Sequence, residues 1–420
     1  MAGFTAYLIN KKYNVYTAET SANRFGSIDA LRGLLAPFVF VHHSSIWYHY
    51  AQADEWTKPE SLLYTHLGAS SVRFFFMITS FLFIGRIISG KEMDWKRLYK
   101  SRFFRIVPLY VFAVVSIVTI AMVKTDFVLH QSFFDFILSI LRWLSFSQVP
   151  VNGYEDTPII VSRVVWTLSI EWFFYFTLPF WYLLLNRKMV NLGILLLCSA
   201  LSIFFYFNSG GGSSIVFFMG GFVAVYCIKY LKNKIDNFNN FNAIPYTLLV
   251  IGGVSALLFL EESNKLNVLV VTLVFTLIAL GNDIFGLLKI NALKVLGEIS
   301  YSIYLLHGIV LYVMIDLVLG RDFVKGLTVL EYWLMIFGLT PILVPLLKQY
   351  GVDTIHFGII MVVNLAIGFV TPPLGVNLFV ASSISGVQIE NIVKNVFPFI
   401  VAFIFALILI TFIPQISLVL

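Results

Sequence analysis

Apolar runs of about twenty residues, the length of a helix that crosses a bilayer, recur from one end of this chain to the other. They constrain its fold more than any other feature. Of its 420 residues 59% are hydrophobic and only 12% are charged, more apolar surface than a soluble core of this size uses. The reading is an all-α, polytopic integral membrane protein. Spans are expected near 28–48, 67–88, 104–124, 165–186, 191–207, 212–228, 245–261, 266–282, 296–318 and 327–347. The net charge of +6 does not point to nucleic acid, because Lys and Arg fall in short clusters between spans. With only two cysteines, Cys198 and Cys227, both in apolar segments, neither a disulfide framework nor a structural metal site is expected.

The basic clusters orient the spans. "GRIISGKEMDWKRLYKSRFFR" (85–105) carries Arg86, Lys91, Lys96, Arg97, Lys100, Arg102 and Arg105, which assigns it to the cytoplasm. The polar N-terminus, 1–27, with Lys11, Lys12 and Arg24, then lies on the same side, and the first span acts as an uncleaved anchor. This orientation requires that 132–148, interrupted by Asp135 and Arg142, does not cross; an interfacial or re-entrant helix fits. The protein is thus multi-pass with a cytoplasmic N-terminus.

Ionisable residues inside spans are costly and usually mark function. "RGLLAPFVFVHH" places Arg32 and His43 eleven residues apart, within about 20° of one helix face and about 16 Å along the axis. "VVWTLSIEWFFYF" (164–176) places Glu171 at a similar depth to His43. A carboxylate and an imidazole at one level are the parts of a general-base pair, or else a buried ion pair that fixes helix packing. "GEISYSIYLLHGIVLY" (297–312) adds His307, and "SVRFFFMITSFLF" (71–83) adds Arg73. In "KSRFFRIVPLY", Arg102 and Arg105 share one helix face beside a helix start, a candidate anion site with Arg32 at the same level. The bland alternative is an ordinary cytoplasmic basic cluster.

Five stretches in order, "IDALRGLLAPFVFVHH", "SVRFFFMITSFLF", "RFFRIVPLY", "WTLSIEWFFY" and "LGEISYSIYLLH", give residues 25–340 a resemblance to the membrane-bound acyltransferase-3 family. The resemblance implies a ten-helix core in a bacterial inner membrane. It implies O-acyl transfer from cytoplasmic acetyl-CoA, the acyl donor, to a hydroxyl of a glycan or lipid-linked saccharide outside, with no permanently bound cofactor or metal. On this resemblance His43, Glu171 and Arg32 are catalytic, and Arg102, Arg105 and Arg32 bind acyl-CoA. Arg73, His307, Trp166 and Tyr175 complete the candidate active centre. Where the family motif commonly ends Ser-Gly, this chain has Thr79-Ser80, which adds a side chain at a close helix contact.

Residues 345–420 resemble the end of a TRAP-type C4-dicarboxylate transporter large permease, most clearly in "HFGIIMVVNLAIGFVTPPLGVNLF". The division expected is 1–27 cytoplasmic, 28–344 membrane acyltransferase, and 345–420 permease-like, a chimera. "GFVTPPLGVN" reads as a broken helix, because Pro372 and Pro373 remove two backbone donors. The alternative activity is that of a TRAP permease fragment, or an inactive fusion.

Overall fold

The computed structural model describes residues 26–90, 92–186, 190–208, 212–232, 244–261, 265–336, 378, 382 and 389–412. They are mostly helical, with no strand among the described residues. The chain divides into two compact units, Met1–Gly326 and Leu327–Leu420.

In the first unit α1 (Gly26–Ala53) has 28 residues, about 42 Å of helix. Its sequence carries the ionisable residues Asp29, Arg32, His42 and His43. It carries these because it packs on several neighbours instead of facing lipid. Its largest contact is with α10 (Asn291–Glu298), followed by α2 (Leu62–Ile88) and α11 (Ser300–Tyr312). The α1–α10 crossing is backbone on backbone. A Cβ on Gly33 would sit 1.8 Å from the Leu293 carbonyl oxygen, and one on Gly297 1.9 Å from that of Asp29. Only glycines allow this approach.

Among the described residues, α2, α3 (Trp95–Lys124), α5 (Trp166–Asn186) and the segment Ser300–Leu319 are long and apolar enough to cross a membrane. Shorter apolar helices follow the remaining expected spans: α6 (Leu192–Asn208), α7 (Val216–Lys232), α8 (Ile244–Leu257) and α9 (Lys265–Ala279). The all-α polytopic architecture read from the sequence is therefore the observed one. The tenth expected span, 327–347, starts as helix and passes outside the described residues after 336.

Residues 132–148 form α4 (Phe133–Leu144), 12 residues and about 18 Å, too short for a bilayer core of about 30 Å. Its start is capped by Ser132, whose hydroxyl accepts from the Asp135 N–H at 3.1 Å. Phe133, Phe134, Ile137, Leu141 and Leu144 are exposed along one face, while Trp143 is buried and donates to the Val149 carbonyl at 2.8 Å. This is the pattern of a helix lying along an interface.

Ser80 finds its room on the partner helix. Its hydroxyl donates to the Phe218 carbonyl at 2.6 Å, and Gly221 of α7 faces it; a Cβ there would lie 1.9 Å from Ser80 Oγ. The close α2–α7 contact is kept, with the glycine supplied by the other helix.

At one end of the bundle a π-helical turn, Val313–Leu319, carries Asp316, and α12 (Arg321–Lys325) follows. Asp316 forms ion pairs with Lys124 and, at 2.8 Å, with Arg321, whose guanidinium also reaches Asp54 at 2.9 Å.

In the second unit, Thr328 and Glu331 form a reciprocal cap: the Thr328 N–H and hydroxyl both donate to Glu331 Oε2 at 2.8 Å. The helix α13 (Ile389–Phe412) exposes Phe397, Phe399, Phe403 and Phe405. The broken-helix stretch around Pro372 and Pro373 and the N-terminal Lys11, Lys12 and Arg24 lie outside the described residues.

Candidate functional site

Five helices of the first unit, α1, α2, α3, α5 and α11, line a cavity of about 810 Å³, a volume that includes the part open to the exterior. Its wall brings together Arg32 from α1, Arg102 and Arg105 from α3, Glu171 and Tyr175 from α5, and Tyr301 from α11. The three arginines expected to share a level do converge. Arg102 and Arg105 are three residues apart and so lie on one face of α3. The Arg32 side chain is 16% exposed, with Asp29, one turn away, at 4.0 Å. The Arg102 guanidinium lies 5.5 Å from the centre of the Phe83 ring. Tyr301 donates to the Ile106 carbonyl at 2.9 Å, which fixes α11 against α3 beside these arginines.

Glu171 accepts a hydrogen bond from the Tyr175 hydroxyl, one turn along α5. Glu171 thus lines the cavity with its carboxylate oriented by a neutral hydroxyl. Of the side chains lining the cavity, three are guanidiniums and Glu171 is the carboxylate. Such an excess of cation in a membrane interior is costly unless an anion balances it. Phe75, Phe76 and Phe83 supply an apolar side to the same space.

His43 lies elsewhere. Its partner is a second imidazole: His43 Nδ1 and His307 Nε2 are 3.0 Å apart, with ring centres at 4.8 Å. His43 Nδ1 is also 3.0 Å from the Val39 carbonyl, and His307 Nδ1 is 3.2 Å from that of Ile303. His42 turns away toward the Tyr64 carbonyl, at 2.8 Å. The expected His43–Glu171 pair is thus not a contact in this structure. Equal depth constrains only the position along the helix axis; the rotation of each helix about that axis decides which side chains meet.

Arg73 is 7% exposed and donates to Asn267 Oδ1 at 2.5 Å, with its guanidinium 4.8 Å from the centre of the Phe217 ring. That places it between α2, α7 and α9 and outside the cavity lining. The Trp166 ring is 6.4 Å from that of Phe76, which does line the cavity. The sequence reading missed Ser300, Tyr301, Tyr304 and Thr167 as cavity residues. The available signal was the "SYSIY" run, whose hydroxyls recur at helical spacing. Tyr304 joins Thr167 through their hydroxyls at 2.9 Å, and so ties α11 to α5. Among the described residues no group of three His, Cys, Asp or Glu side chains is placed to hold a metal ion.

Residues 263–416 match the family described as tripartite ATP-independent periplasmic transporter, DctM component. The isethionate TRAP transporter permease protein DctMQ of Oleidesulfovibrio alaskensis is 58% identical over 78 residues, 19% of this chain and 12% of that protein. The C4-dicarboxylate TRAP transporter large permease protein DctM of Pseudomonas aeruginosa is 44% identical over 80 residues, 19% of either chain. The sialic acid TRAP transporter permease protein SiaT of Haemophilus influenzae is 38% identical over 76 residues, 18% of this chain and 12% of that protein. The chain spans less than one fifth of the length of these relatives. No solved structure matches.

These findings overturn O-acyl transfer as the expected activity. The matched family and these relatives are transporter permeases, not acyltransferases, so an acyl-CoA donor and a glycan acceptor are also withdrawn as partners. The acyltransferase likeness expected over residues 25–340 finds no support among them, and the chimera is not established. The permease match starts at residue 263, inside the stretch expected to belong to the acyltransferase. Fold and comparisons together support a multi-pass inner-membrane protein, with residues 263–416 matching the DctM permease family.

Proposed function

We propose that this chain acts as a permease-type membrane component of a tripartite transporter, and that the arginine cavity is where it holds an organic anion. The observation that carries the reading is the convergence of Arg32, Arg102 and Arg105 on one enclosed space with a single lining carboxylate. Guanidiniums in a fork geometry suit carboxylates and sulfonates. The printed names of the relatives point the same way: isethionate is a sulfonate, and C4-dicarboxylates and sialic acid are carboxylic acids. Ser300, Tyr301 and Tyr304 of the cavity fall within the matched segment, and the arginines precede it.

The remaining components of such a system would be a periplasmic substrate-binding protein and a small permease subunit. The basic stretch 85–105 supports a cytoplasmic position for the arginine end of the cavity and for the N-terminus. The test is titration of the purified full chain with succinate, a C4-dicarboxylate, and with isethionate, together with uptake of both into proteoliposomes in the presence of the partner components. Saturable binding that is weakened about 100-fold in Arg105→Ala is expected. Absence of binding of either anion overturns the reading.

A further inference from the structure

The His43–His307 pair lies one layer behind the cavity wall, and its hydrogen bonds specify where a proton can go. A carbonyl oxygen only accepts. His307 Nδ1, 3.2 Å from the Ile303 carbonyl, therefore carries a hydrogen, and His307 Nε2 has a lone pair. By the same rule His43 Nδ1 carries a hydrogen, shared between the Val39 carbonyl and His307 Nε2, each at 3.0 Å. The neutral pair thus leaves His43 Nε2 as its basic atom, with no hydrogen-bond partner among the described residues. A proton added there makes an imidazolium whose charge is stabilised by two acceptors already in place. A second proton would put two cations about 3 Å apart, so the pair is built to take one.

Several contacts connect this pair to the cavity. Val39, whose carbonyl holds His43, packs with Val164 and Tyr304, and Val72 and Phe75 close the cluster. Tyr304, Val72 and Phe75 also line the cavity, and the Tyr304 ring is 6.2 Å from that of His307. The titratable groups facing the pair are His42 from α1, its ring 4.8 Å from that of His43, and Tyr304 from α11. From α2, Val72 and Phe75 pack on the adjoining cluster, and the Tyr64 carbonyl holds His42. Among the described residues neither imidazole pairs with a carboxylate.

We infer that His43 Nε2 takes up one proton when an anion fills the arginine cavity, so that anion entry is proton-coupled. This rests on the anion reading of the cavity. Binding and protonation are reciprocal: an anion favours the imidazolium, and the imidazolium favours the anion by the same factor.

The experiment is calorimetric titration of the purified full chain with succinate and isethionate between about pH 6 and 8, in buffers of different ionisation enthalpy. One proton taken up per anion is expected, with affinity falling about tenfold per pH unit on the alkaline side. His43→Gln and His307→Gln should bind with an affinity independent of pH and take up no proton, and His42→Gln should keep the slope. Helical circular dichroism and gel filtration establish that each variant is folded. Anion binding without proton uptake overturns this inference and leaves the cavity reading standing. A slope that survives in both His43→Gln and His307→Gln, or that vanishes in His42→Gln alone, also overturns it. Absence of anion binding at every pH overturns both.

Discussion

Two clusters of ionisable side chains in residues 26–326 use the same chemistry in opposite ways. At one end of the bundle Lys124 and Arg321 meet Asp316 and Asp54. Asp316, 3% exposed, takes both cations, and Arg321 uses its second edge for Asp54. Each charge has its opposite, and the set is complete without a guest. In the cavity three guanidiniums converge while Glu171 is already held by Tyr175. That set is open. Balanced charge joins helix ends, whereas unbalanced charge in a low-dielectric enclosure prepares a place for a counter-ion.

The contrast can be broken most decisively at Arg105. Arg105→Ala should weaken succinate or isethionate binding about 100-fold, roughly 3 kcal/mol, in a titration of folded protein. Unchanged affinity would mean that the surplus charge has no guest. Asp316→Asn should do the reverse. Thermal unfolding in detergent should show a loss of about 2 kcal/mol, less than for fully buried pairs because Lys124 and Arg321 are partly exposed, with anion affinity unmoved. Loss of anion binding in that variant would make the two clusters one device.

Packing without charge sharpens the comparison. Gly297→Ala places a Cβ 1.9 Å from the Asp29 carbonyl oxygen, one turn from Arg32. It should cost about 1–2 kcal/mol of thermal stability and weaken anion binding by displacing Arg32.

The smallest effect is expected at Asp283, in the turn after α9 and outside the spans. Burial by itself would raise its carboxyl pKa, but Lys289 and the Gly286 N–H, at 2.9 Å, hold it below the ordinary carboxylate range. A depressed folded-state pKa contributes stability that is present above the unfolded value of about 3.9 and is lost as pH falls through the folded value. Thermal unfolding followed from about pH 5 downward should show this in the wild type and less of it in Asp283→Asn. The difference should stay under about 1 kcal/mol, because Lys289 is exposed.

Much of this was legible because it is local. Whether a segment becomes a membrane helix depends on its own residues, so the spans, and the failure of 132–148 to be one, follow from composition. The level of Arg32, Arg102 and Arg105 follows from counting residues along helices. Function was less legible. Five short motifs inside spans suggested acyl transfer, and the permease match over 263–416 overturns it. The C-terminal likeness to a permease was read correctly, but from residue 345 onward, later than the match begins.

By itself, then, the sequence determined an all-helical membrane protein, the positions of its charged residues along their helices and the likeness of its C-terminal part to a permease, since hydropathy and contiguous identity are properties of the chain alone. Only the tertiary structure decided which side chains meet. His43 faces His307 and Glu171 faces the arginines because backbone crossings such as Gly33 on Gly297 set the rotation of each helix. That rotation is a property of neighbouring helices packed together, and no single span encodes it.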